Sequence, residues 1–206
     1  MKSILAFLLI SFAGFSHAKN CTYTTYQWNV ESRKAVNFRQ VQKPYTSLTR
    51  DEIDLRTGCS VCLEDQVDIQ IEGIPTFKLC KAIAYQVKQS IVEAIAEGML
   101  IDKVVGYRVG MTKGKVDDEN NRTQFSNHSF GTAVDINPDF NGLYDNCVEF
   151  SPSCRLIKGG EYQPFNRKGI TPNSPIVESM NKLGFHWGGV ILGNQKDFMH
   201  FSFSGY

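Results

Sequence analysis

An apolar run from Ile4 to Phe15, interrupted only by Ser11 and Gly14, follows Lys2 and gives way to Ser16, His17 and Ala18. That order of charge, apolar core and small residues has the form of a secretory leader, with cleavage expected after Ala18. The run is too short for a membrane span, which needs about 20 apolar residues. From 19 to 66, polar and aromatic residues mix without a clear period, and Pro44, Thr49 and Gly58 break any long element. This segment is expected to be an extension that packs on the remainder through Tyr23, Tyr26 and Trp28. Val67 to Ile71 alternates as a half-buried strand that Glu72-Gly73 turns. Between Cys80 and Glu97, Ile83, Val87, Ile91 and Ala94 recur at intervals of three and four, which predicts a helix that Gly98 stops.

Met99 to Tyr107 is expected to return as a strand that delivers Arg108 to its end. Val109 to Thr123 and Asp139 to Thr171 read as polar loops. Ser174-Pro175 opens a second helix with the stripe Ile176, Val177, Met180 and Leu183, stopped by Gly184. Strands and helices of this kind predict an α+β fold, a small antiparallel sheet with packed helices, in three parts: a leader at 1–18, an extension at 19–66 and a main domain at 67–206.

Composition changes this picture in two ways. The chain has 22 Lys and Arg against 21 Asp and Glu, and loss of Lys2 with the leader leaves 21 against 21. No bulk field draws it to nucleic acid or to an acidic membrane. Removing 18 of 206 residues leaves a chain that buries one core, expected as a monomer. All six cysteines, at 21, 59, 62, 80, 147 and 154, follow the leader, and an even count in an exported chain reads as disulfides. Cys147 pairs naturally with Cys154 across a short proline-bearing loop; the connectivity of the other four stays open. The expected location is the periplasm or the extracellular space.

Candidate chemistry gathers in Phe125 to Pro138, F-S-N-H-S-F-G-T-A-V-D-I-N-P. Gly131 permits a tight turn, and the alternation after it puts Asp135 on one face of a strand with Val134 and Ile136 on the other. His128 and Asp135 are the first two expected metal ligands. D-F-M-H-F-S-F near the C-terminus adds His200 as a third, leaving Asp197 as a base. Three protein ligands with an open position is the arrangement of catalytic zinc. Asn137 and Ser126 are expected to support the ligands, and His186 is expected to stay outside the site.

The string S-N-H-S-F-G-T-A-V-D-I-N-P, followed by G-F-H-W-G-G and D-F-M-H-F, resembles the M15 zinc peptidases, the D-alanyl-D-alanine carboxypeptidase and L-alanyl-D-glutamate endopeptidase group, over roughly Val104 to Phe203. The resemblance implies that 67–206 is a zinc peptidase domain of M15/hedgehog-like fold holding one Zn2+ on His128, Asp135 and His200. It implies Asp197 as general base, and peptidoglycan stem peptides containing D-amino acids as substrate. It also implies that Arg108, in G-Y-R, binds a substrate carboxylate or the oxyanion; Arg122 is the rival, and a strand end favours Arg108. Two other classes stay open: a zinc-containing binding module of hedgehog type, and a disulfide-stapled binding protein without metal.

Overall fold

The computed structural model describes residues 19–205, so the expected leader lies outside the described residues. The chain opens as a long antiparallel hairpin, β1 (Asn20–Asn29) and β2 (Lys34–Pro44). A second hairpin, β3 (Gln66–Ile71) and β4 (Ile74–Cys80), precedes α1 (Ala84–Ala96). Then come β5 (Val104–Val105), the hairpin β6 (Met111–Val116) and β7 (Arg122–Phe125), and β8 (Ala133–Ile136). β9 (Leu143–Asp145) and β10 (Arg155–Lys158) lead to α2 (Pro175–Lys182). β11 (His186–Trp187), β12 (Gln195–Asp197) and β13 (His200–Ser202) end the chain.

The architecture is α+β, but the expected single sheet is four small ones among the described residues, ordered β2-β1-β6-β7, β10-β9-β12, β11-β13-β8-β5 and β3-β4. The third of these positions the site. Every residue of β8 is buried, and α1 and α2 pack together over a core that includes Val87, Ile91, Ile136, Ile176, Met180 and Phe201. Burying such side chains stabilises the fold by about 1.5–3 kcal/mol each.

Several boundaries depart from expectation, each for a local reason. The helix starts at Ala84 rather than Cys80, because 74–80 is a strand whose last residue is tied to Cys59. The strand expected over Met99 to Tyr107 shrinks to Val104–Val105. Asn137, in the left-handed region at φ 44°, replaces ladder partners there: its Oδ1 accepts from the amides of Asp102 and Lys103, and its Nδ2 donates to the carbonyls of Leu100 and Lys168. The presumed loop at 109–123 is largely the β6-β7 hairpin, and 139–171 contains β9 and β10.

Residues 19–66 are held down covalently and by buried carboxylates. Cys21 pairs with Cys62, Cys59 with Cys80, and Cys147 with Cys154 as expected. Glu52, buried, accepts hydrogen bonds from Tyr23 Oη and Lys43 Nζ at 2.5 Å each, and Tyr107 Oη donates to the Val61 carbonyl at 2.7 Å. Tyr23 packs edge-on to Phe125, and Tyr26 lies tilted against Phe38 of its own hairpin and so close to Gly110 that a Cβ there would fall 2.6 Å from its ring. No cysteine is free, as the even count predicts.

Loop-closure entropy grows with loop length, so replacing Cys21 and Cys62, separated by 41 residues, with alanines should cost about 4 kcal/mol against about 2 for Cys147 and Cys154, separated by 7. Urea unfolding of the two double variants checks this; equal midpoints would contradict it.

Candidate metal centre

A short 3-10 turn, Asn127–Phe130, carries His128 and closes on Gly131 at φ 66°. A Cβ at 131 would sit 2.0 Å from Gln66 Oε1 and 2.6 Å from the Cys80 amide, so glycine is required by space as well as by conformation. The chain then enters β8, where Asp135 lies directly across from His200 of β13 and Val105 of β5. Because side chains alternate along a strand, a one-residue slip would turn Asp135 away from both histidines.

The last part of the site is a turn braced by the W-G-G segment. Trp187 Nε1 donates to the Phe198 carbonyl at 2.8 Å. A Cβ at Gly188 would fall 2.4 Å from the Asp197 carbonyl oxygen. Only glycine lets β12 approach this closely, and the Phe198-Met199 turn then swings His200 back beside Asp135.

His128 Nε2, Asp135 Oδ1 and His200 Nδ1 form a triangle with sides of 2.9, 3.0 and 3.2 Å, and all three side chains are buried. Atoms this far apart can all lie about 2.0–2.1 Å from one ion, the zinc–ligand distance. Their protonation tests the fit. His128 Nδ1 faces the Gly106 carbonyl at 2.8 Å and Nε2 faces the Asp135 carboxylate at 2.9 Å, so both ring nitrogens need a positive partner. A neutral imidazole has one proton, and burial lowers the His128 pKa to about 4, against the pull of Asp135. Burial works to raise the Asp135 pKa, but its two imidazole neighbours, His128 before His200, hold it well below the usual range. With the His128 proton on Nδ1, its Nε2 meets Asp135 Oδ1 and His200 Nδ1 at one buried point, a donor set that fits a divalent cation.

Arg108 Nη2 donates to Asp135 Oδ2 at 3.1 Å, so each oxygen of that carboxylate has its own role. Three of the five buried polar atoms lacking a partner among the described residues lie here: Arg108 Nε, Asp197 Oδ1 and His200 Nε2. Orphans of this kind concentrate where a ligand is missing. Burial pushes the Asp197 pKa up to about 6, with His200 opposing and Asp135 reinforcing.

Arg122 bonds the Gly114 carbonyl within its own hairpin, and His186 is exposed. Ser126 and Asn137 do not support the ligands as expected. Ser126 meets Ser129 and the Gly110 backbone, and Asn137 is spent on the loops described above. Sequence reasoning missed the Gly106 carbonyl, which no side-chain pattern announces. It also missed Lys113, whose pKa burial lowers to about 8, and Lys158, which burial also lowers; both act electrostatically on Asp197.

Two histidines and an aspartate on a buried strand, beside a carboxylate of raised pKa, define a candidate metal-dependent hydrolase centre. Residues 119–203 match the model of the D-alanyl-D-alanine carboxypeptidase family, and the M15 peptidase resemblance stands on that segment. The match takes in His128, Asp135, Asp197 and His200 and leaves Arg108 outside. No significant match was found among curated proteins or solved structures.

A carboxyl whose folded pKa lies above its ordinary value of 3.8 binds more protons in the folded than in the unfolded chain between about 4 and 6, so its contribution to stability falls as pH rises through that window. In EDTA, Asp197→Asn should therefore gain melting temperature relative to wild type from pH 4 to pH 7. A difference that does not change with pH would contradict the raised pKa.

Proposed function

We propose that the protein is an exported zinc-dependent metallopeptidase that hydrolyses peptide bonds involving D-amino acids in peptidoglycan stem peptides. The observation that carries this reading is the buried meeting of His128 Nε2, Asp135 Oδ1 and His200 Nδ1, all within 3.2 Å of one another. The family match over the same residues supports the peptidase class and the substrate. Three disulfides fit export, and no helix among the described residues is long and apolar enough to cross a membrane.

In this reading His128, Asp135 and His200 hold one zinc ion, whose Lewis acidity lowers the pKa of water from about 15.7 toward 7. The chain's own residues do the rest. The Gly106 carbonyl fixes the His128 tautomer, keeping the Nε2 lone pair inward. Arg108 takes Asp135 Oδ2 and so leaves Oδ1 to face the histidines; its unpartnered Nε–H is free for a substrate oxygen that gains charge during attack. Asp197 removes a proton from the attacking water and delivers it to the departing amine. A pKa near 6 suits both transfers around neutral pH, since the group must change state in each cycle.

His128→Ala and His200→Ala should each lose zinc and activity together, read by metal analysis and peptide hydrolysis. Zinc retained at one per chain in either variant would remove that histidine from the ligand set. Asp197→Asn should keep its zinc and lose about 100-fold to 10,000-fold in kcat; full turnover in this variant would assign the proton transfers elsewhere.

A further inference from the structure

Lys113 and Lys158 stand on strands of two different sheets. Lys158 ends β10, and Asp197 ends β12. Both are register partners of Leu143 in the strand between them, so their side chains share one face of that sheet. Strands two apart are about 10 Å away, a gap that a lysine side chain largely spans. The backbone beyond Lys158 is fixed. Gly159 turns at φ 81°, where a Cβ would fall 2.6 Å from the Pro138 carbonyl oxygen, and the Gly160 amide donates to that same carbonyl at 2.9 Å. Lys158 is exposed as a residue, while its ammonium is partly desolvated and Arg108, Asp135 and Asp197 all act on it electrostatically. It has no ion pair within 4 Å among the described residues.

Lys113 comes from the β6-β7 hairpin. Its Nζ donates to Asn127 Oδ1 at 3.2 Å, one residue before His128, and Asp197 acts on it too. Three cations, Arg108, Lys113 and Lys158, therefore surround two carboxylates, Asp135 and Asp197. The expected mature chain is balanced overall, so this excess is local, and a site that concentrates positive charge selects an anionic ligand.

We infer that Lys113 and Lys158 form a clamp for a free carboxylate on the substrate residue that leaves with the new amine. The side follows from their position. They flank Asp197, the group that protonates the leaving amine, so the carboxylate they meet belongs to the residue carrying that nitrogen. Arg108 cannot serve this purpose alone, because one of its Nη groups is engaged on Asp135. The inference rests on the hydrolase reading for the side of the bond, but not for the existence of the clamp. It requires an acidic leaving residue: the terminal one of a peptide, or an internal one with a free carboxyl group.

The test is equilibrium binding of two peptides to the full chain purified with zinc, with hydrolysis followed in parallel. The peptides end in D-alanyl-D-alanine and differ only in a free C-terminal carboxylate or a carboxamide. Wild type should bind the acid at least about tenfold more tightly than the amide, as expected for charge-assisted bonds. Lys158→Met and Lys113→Met should each reduce that ratio, and the double variant should bring it close to one. Lys158→Arg should keep it, which separates loss of charge from loss of packing. Equal affinity of wild type for both peptides, or a ratio unchanged in the double variant, would overturn the clamp. Acid preference without hydrolysis would retain the clamp and sink the hydrolase reading. Hydrolysis without acid preference would do the reverse.

Discussion

On the buried strand β8, a carboxylate oxygen meets two imidazole nitrogens, all within 3.2 Å of one another. Much of the surrounding fold serves to keep them there. Asp135 lies on a wholly buried strand between Val105 and His200, and its register decides whether the three groups meet at all. The Gly106 carbonyl, pressed against β4 so closely that a Cβ at 106 would fall 2.2 Å from the Lys78 oxygen, holds the proton of His128 on the outer nitrogen. Trp187 and Gly188 hold the turn that returns His200. A buried cluster of this kind is expensive when unoccupied, since each unmet polar group costs on the order of 1–3 kcal/mol. A cation resolves the conflict at one point.

The same economy explains the two carboxylates. Asp135 is surrounded by partners and stays ionised, whereas Asp197, one short turn before His200, has an unpartnered oxygen and a raised pKa. Environment alone pushes the two pKa values apart, and the proposed roles of ligand and proton carrier rest on that difference. Arg108 and the two lysines add positive charge around Asp197, which is the basis of the proposed carboxylate clamp.

How much of this was legible in the sequence varied with how local the cause was. The loop, turn and strand around His128 and Asp135 could be read directly, because Gly131 and the alternation of Val134, Asp135 and Ile136 are consecutive signals. The N-terminal hairpin could not. Cys21, Tyr23 and Thr25 do alternate inward along β1, but a cysteine and a threonine among the buried positions hide the period. β4 was masked by Pro75 and by an apolar spacing that continues into α1. Asn137 resembled a site residue because of its place after Asp135, and only the contacts of the folded chain show that it organises 100–103 and 168 instead. The lysines carry no sequence signal; they matter because two separate hairpins bring them to one carboxylate.

The central claim is that the His128, Asp135 and His200 cluster is a catalytic zinc site. Metal content of the purified chain, measured together with EDTA-sensitive cleavage of defined muropeptides, tests it most directly. One zinc per chain, with cleavage lost in EDTA and restored by zinc, is the expected result. A chain that folds, retains no metal from a zinc-containing buffer and still cleaves, or that neither holds zinc nor cleaves any stem peptide, would contradict the account.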